Sequence, residues 1–209
     1  RAGVPSLEAV EFFLPEGLEL VCGHLGIDPP VRPAAVYLTV EAAGAGDPTE
    51  ELAEVLPEDA LVADDSAGRA RLWRLREAHT EAIAAAGIPH KIDVGVPLGR
   101  LAEFLAAVPA TVEAAAHGAR TILFGHLGDG NVHVNVLGPP PDDDRVDTAV
   151  LELVASLGGT ISAEHGVGVA KARHLGLVRP PEEIAAMRAL KSALDPQGLL
   201  NPGVILATP

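Results

Sequence analysis

With 209 residues, 48% of them hydrophobic and only 3% aromatic, the chain can bury the core of one large domain or two small ones, filled by Leu, Val, Ile and Ala. A net charge of −14 argues against a nucleic-acid backbone or an anionic membrane surface as partner. Cys22 is the only cysteine, which excludes an internal disulfide and a thiolate metal cage and suits a reducing compartment. No apolar run reaches the length of a membrane span and no signal peptide opens the sequence, so the expected location is cytoplasmic, peripheral to a membrane at most. A sequence that begins at Arg1 rather than Met reads as part of something longer.

In chain order, residues 7–13 read as a strand and residues 16–25 as a helix. After Pro29, Pro30 and Pro33, residues 35–41 form a second strand. Asp47-Pro48-Thr49 caps a helix running to Leu56, and residues 60–63 make a brief strand. A long helix spans residues 66–86 and stops at Gly87. On it, Trp73, Arg76 and Thr80 fall at i, i+3 and i+7, one stripe. Strand 90–94, with Lys91 near its start, is followed by helix 98–117. Then comes the densest signal in the sequence, two β-branched runs at 122–127 and 132–137 around the turn Gly128-Asp129-Gly130-Asn131.

If that turn closes on its four residues, His126 stands directly opposite His133, with Cβ atoms about 5 Å apart. Asn135 points the same way. Two imidazoles and an amide on one patch waste a packed face and begin a metal site. Helix 144–157 and strand 160–162 follow, and then Glu164-His165 in a glycine-flanked loop. Residues 171–175 and 181–194 are helical, and the tail from Asp195 is rich in turn residues. The second half thus runs β-α-β-β-α-β, the ferredoxin-like order. The first half is a looser copy, so the expected class is α+β: duplicated ferredoxin-like subdomains, near 1–86 and 87–209, with antiparallel sheets and helices on one face.

His126, His133 and Glu164 supply two imidazoles and a carboxylate, a three-ligand set that leaves a divalent cation one open position. Zn²⁺ is the first choice, and Mn²⁺ and Fe²⁺ would accept the same set. An open site polarises a bound oxygen and eases loss of a hydroxyl proton. His165, beside a ligand, is placed to take that proton, since imidazole titrates near neutrality. Arg76 and Lys91 could hold a carboxylate, one as a fork and the other as a point charge. The implied substrate is a small 2-hydroxy acid. Its hydride needs an acceptor, and the glycines at 125, 128 and 130 lie in a hairpin rather than between strand and helix, so they are no dinucleotide fingerprint. The redox cofactor must come from elsewhere. The alternatives are a metal- or ligand-binding module without redox activity and a free-standing metallohydrolase.

Trp-Arg-Leu-Arg-Glu, Lys-Ile-Asp-Val-Gly-Val-Pro, the hairpin itself, Glu-His-Gly-Val-Gly and Leu-Asp-Pro-Gln-Gly-Leu-Leu-Asn-Pro-Gly together resemble the C-terminal domain of the FAD-linked oxidases. These are flavoproteins similar to D-lactate dehydrogenase, D-2-hydroxyglutarate dehydrogenase and the glycolate oxidase flavin subunit. The resemblance implies a substrate-binding cap laid over FAD, which a separate N-terminal domain outside these residues would hold. By position it puts metal ligands at His126, His133 and Glu164, the base at His165, and substrate contacts at Arg76, Thr80, Lys91 and Asn135. Asn201 and Gly203 fall in the turn that returns toward the flavin. It also implies an onward electron acceptor, a protein or a quinone, and no turnover by this stretch without its flavin domain.

Overall fold

Alternation decides the strands. In Asn131–Leu137 every second residue is valine, so the run presents valines to one side and Asn131, His133 and Asn135 to the other. The computed structural model describes residues 3–206. Its strands are β1 (Leu7–Phe13), β2 (Tyr37–Ala42), β3 (His90–Gly95), β4 (Arg120–His126) and β5 (Asn131–Leu137). They form a five-stranded sheet in the order β2-β1-β4-β5-β3, with every neighbouring pair antiparallel. The helices are α1 (Pro15–Leu25), α2 (Thr49–Ala53), α3 (Ser66–Glu77), α4 (His79–Ala86), α5 (Leu101–Ala115), α6 (Arg145–Ser156), α7 (Gly168–Ala172) and α8 (Pro181–Leu194). Among the described residues no helix is long and apolar enough to cross a membrane.

The class is α+β, as expected. Phe12, Val94, Leu123, Val132, Val134 and Val136 face Phe104, Val108 and Val112 of α5 and Val146, Val150 and Val154 of α6. On the opposite face Phe13, Ile122, Phe124 and Leu137 pack on Leu18 of α1, Leu75 of α3 and Ile83 of α4. Each half of the chain therefore lays its packing helices on one face, and the halves use opposite faces of a shared sheet.

Several local expectations differ. Residues 60–63 form no strand: so short a run makes few ladder bonds, and Val62 stays 67% exposed without a partner strand. The last expected strand, 160–162, is reduced to a single bridge between Thr160 and Gly95. Only the second half therefore follows the β-α-β-β-α-β order, with this bridge in place of its final strand. The helix expected at 66–86 breaks at Ala78 into α3 and α4. The cause is His79, whose ring lies between Phe13 and Phe124 at centroid distances of 5.1 and 5.0 Å. Its Nδ1 donates to the Arg76 carbonyl at 3.0 Å. Gly17 makes room, since a Cβ there would meet His79 Nε2 at 2.4 Å.

The hairpin register also differs. The turn takes residues 127–130, so His126 pairs with Asn131 and Phe124 with His133. Gly130 sets this: its φ is +75°, and a Cβ on it would lie 2.1 Å from the Val96 carbonyl oxygen. The Val96 amide donates to Gly130 at 2.9 Å, pinning the turn to the end of β3. The slip is two residues, equal to the side-chain period of a strand, so both histidines keep their face.

Candidate metal centre

The face that packs on α1, α3 and α4 is apolar over only part of its area. Beyond Phe124 it carries Glu11, His126, Asn131, His133, Asn135, Asp93 and Lys91. Register places a carboxylate directly opposite each imidazole, Glu11 across from His126 and Asp93 across from His133. Lys91 is likewise opposite Asn135.

His126 Nδ1 donates to Glu11 Oε1 at 2.6 Å. The proton is then on Nδ1, and the Nε2 lone pair turns inward. Nε2 lies 3.4 Å from His133 Nε2 and 3.2 Å from Glu164 Oε1. Ligand atoms of His126, His133 and Glu164 all fall within 4.8 Å of one another. Acceptors facing one another across so short a gap repel unless a cation or a proton lies between them. The donor set therefore fits the divalent metal that the resemblance implies.

Asp93, 2% exposed, holds the segment that carries Glu164. Its Oδ2 accepts the backbone N–H groups of Ala163, Glu164 and His165 at 3.0, 2.9 and 3.0 Å. Burial pushes its carboxyl up, but those amides, with the His165 and Lys171 charges, outweigh it and hold the group below its ordinary value. Lys171 on α7 donates to the Asp93 carbonyl at 2.6 Å, and burial holds its amine below the usual range. Burial likewise lowers His133, against the opposing pull of Asp93. The His165 ring stacks on His133, with centroids 5.5 Å apart and planes at 28°.

Arg76 Nε donates to Glu11 Oε2 at 3.0 Å, Nη2 lies 2.9 Å from the same oxygen as an ion pair, and the guanidinium lies 4.4 Å from the centre of the Phe124 ring. Glu11 thus ties Arg76 to His126. Burial lowers the Arg76 value and Glu11 opposes the shift. Asn135 is buried, with its Nδ2 3.4 Å from the His133 carbonyl. Lys91 is exposed. Thr80 is exposed in the first turn of α4, with no hydrogen bond to this cluster among the described residues. Asn201 and Gly203 lie in a tail turn where both have positive φ, 44° and 76°, with no hydrogen bond to this cluster among the described residues. Asp195 fastens that tail by accepting from the Leu199 and Leu200 amides.

Sequence reasoning put His126, His133 and Asn135 on one face, with Glu164 and His165 meeting them from a later loop, and missed Glu11, Asp93 and Asn131. Asp93 was within reach, because it alternates with the apolar Ile92 and Val94 and so shares the face of Lys91. Glu11 required the long-range pairing of β1 with β4. Asn131 is 1% exposed, and neither its amide nitrogen nor its oxygen finds a partner among the described residues.

A family model described as FAD linked oxidases, C-terminal domain, matches residues 2–205. The chain is 38% identical to a D-2-hydroxyglutarate dehydrogenase of Xanthomonas citri pv. viticola, over 97% of its own length and 46% of the relative's. It is 37% identical to the mitochondrial D-2-hydroxyglutarate dehydrogenase of Bos taurus, over 97% of its length and 39% of the relative's. A D-2-hydroxyglutarate dehydrogenase of Stutzerimonas stutzeri is 35% identical, with 96% of this chain and 47% of the relative covered. The chain thus spans less than half the length of these relatives.

Proposed function

This chain belongs to the family of FAD-linked oxidase C-terminal domains, and we propose that it is the substrate- and metal-binding part of an FAD-dependent 2-hydroxy-acid dehydrogenase. D-2-hydroxyglutarate, named in the relatives it matches, is the first candidate, and D-lactate and glycolate are the others. The observation that carries the reading is the meeting of His126, His133 and Glu164 within 4.8 Å on the polar part of the sheet.

In this proposal those three side chains hold one divalent cation, Zn²⁺ first, with Mn²⁺ and Fe²⁺ as alternatives. The cation supplies Lewis-acid polarisation of the substrate oxygens, and FAD, held by a further domain, supplies the acceptor for the hydride. This chain's own residues do the rest. Arg76 gives its Nε–H to Glu11, with Nη2 ion-paired to the same carboxylate, and its remaining N–H groups are available to a substrate carboxylate. Lys91 adds a positive charge beside Asn135, whose amide meets a hydroxyl or carboxylate, and Thr80 offers a further hydroxyl. His165 takes the proton of the substrate hydroxyl, and its stacking on His133 keeps the ring beside the ligand set. Asn201 and Gly203 form the turn facing the flavin. Residues 1–86 and 87–209 are the two units of the cap. An acceptor protein or quinone beyond the flavin, and a cytoplasmic location, belong to the same proposal.

The test is flavin reduction by D-2-hydroxyglutarate in the full-length protein, together with metal analysis. His165→Gln should slow reduction by about 10² or more with metal content unchanged. A wild-type protein that holds no more metal than His126→Ala with His133→Ala would overturn the metal site. Near-normal reduction in His165→Gln would remove that residue from its role.

A further inference from the structure

Asp93 has two oxygens with different surroundings. Oδ2 receives three backbone N–H groups, from Ala163, Glu164 and His165. Oδ1 is buried with no hydrogen-bond partner among the described residues, although His133 Nδ1 lies only 3.7 Å away. A buried carboxylate oxygen without a donor is costly and draws the nearest N–H toward it. The other imidazole shows the arrangement completed, with His126 Nδ1 donating to the carboxylate opposite it at 2.6 Å. Asp93 is related to His133 by the same cross-strand register.

We infer that Asp93 is a positioning residue that acts on the candidate cation site in two ways at once. Through Oδ2 it clamps the segment carrying Glu164 and His165 onto the sheet. Through Oδ1 it keeps the His133 proton on Nδ1, so that Nε2 presents its lone pair toward His126 and Glu164. A carboxylate behind a ligating imidazole fixes both the ring's tautomer and its orientation. The inference rests on the cation site proposed above; without a cation the Nδ1–H form of His133, facing Asp93 Oδ1 at 3.7 Å, competes with a form that gives Nε2–H to His126 Nε2 at 3.4 Å, so the tautomer reads directly which acceptor wins.

Asp93→Asn separates the two actions. The three backbone N–H groups demand an acceptor, so the new amide must turn its oxygen to them and its NH₂ toward His133. Nδ1 then has to accept, and the proton moves to Nε2, into the space meant for the cation. The clamp survives and the tautomer inverts.

The experiment is nitrogen–proton correlation NMR of histidine-labelled, metal-free, full-length protein above neutral pH, followed by Zn²⁺ titration of the same samples. The expected result is His133 protonated on Nδ1 in the wild type and on Nε2 in Asp93→Asn, with Zn²⁺ affinity falling roughly 10- to 100-fold. Amide exchange at 163–165 should stay slow in Asp93→Asn and become fast in Asp93→Ala; should the alanine variant misfold, the asparagine variant carries the test alone. A wild-type His133 protonated on Nε2, or an unchanged tautomer in Asp93→Asn, overturns the inference. So does binding of two cations with His133 bridging them, because Nδ1 would then be a ligand. If the tautomers behave as expected but no protein binds Zn²⁺ better than His133→Ala, the cation site fails while the role of Asp93 stands.

Discussion

The two faces of the sheet are made by alternate residues of the same strands, yet they do opposite work. Val132, Val134 and Val136 are fully buried against α5 and α6, while His133 and Asn135, one residue away, face Asp93 and Lys91 across the strands. The apolar face gains free energy from area removed from water, roughly 25 cal/mol per Å², and tolerates little loss of volume. The polar face gains little that way. Its acceptors, crowded around His126, His133 and Glu164, oppose one another, a strain that a packed face has no reason to keep. The difference teaches where fold ends and function begins, and it can be broken from either side.

The largest effect should come from the apolar face. Phe104→Ala removes a fully buried ring and should cost about 3–5 kcal/mol in chemical denaturation. His133→Ala, on the polar face, should change metal-free stability by less than about 1 kcal/mol while abolishing stoichiometric metal binding. Equal stability losses in the two variants would erase the distinction between the faces.

The next effect sharpens the boundary where the two kinds of surface meet. His79 lies wholly within the apolar part, and burial pulls it from 6.5 down to about 4. Between those values the unfolded chain binds a proton that the folded chain refuses, so stability is complete above pH 6.5 and is lost as pH falls toward 4. The loss should be on the order of 3 kcal/mol, seen as a fall in the denaturation midpoint that His79→Phe lacks. A wild type with no steeper acid dependence than this variant would contradict the buried, neutral ring.

A smaller effect is expected at Glu11, which serves two partners. Glu11→Ala leaves Arg76 short of its counter-charge, with 11% of that side chain exposed. The loss should be roughly 2 kcal/mol, below that of a fully buried pair. It should also weaken metal binding about tenfold, because His126 Nδ1 loses its acceptor. Loss of stability with metal affinity intact would uncouple the two halves of that network.

How much of this was legible depends on the range over which each feature is fixed. The histidines' shared face could be read because strand side chains alternate, and a two-residue slip in register leaves the alternation intact. The slip itself was hidden, since it depends on Gly130 meeting Val96, which is distant in sequence. The break at Ala78 carries no Gly or Pro signal; tertiary packing of His79 between two phenylalanines decides it. Glu11 looks like any strand carboxylate until β1 pairs with β4. Asp93 could have been placed once β3 was laid beside β5, because its parity was already visible.

The central claim is that His126, His133 and Glu164 hold one divalent cation. X-ray absorption at the zinc edge of the reconstituted full-length protein tests it most directly. The account predicts one Zn²⁺ per chain with two imidazole nitrogens at about 2.0–2.1 Å and carboxylate oxygen at about 2.0–2.2 Å, and loss of the imidazole scattering in His126→Ala with His133→Ala. A sub-stoichiometric, all-oxygen shell, or a spectrum that the double variant leaves unchanged, would contradict it.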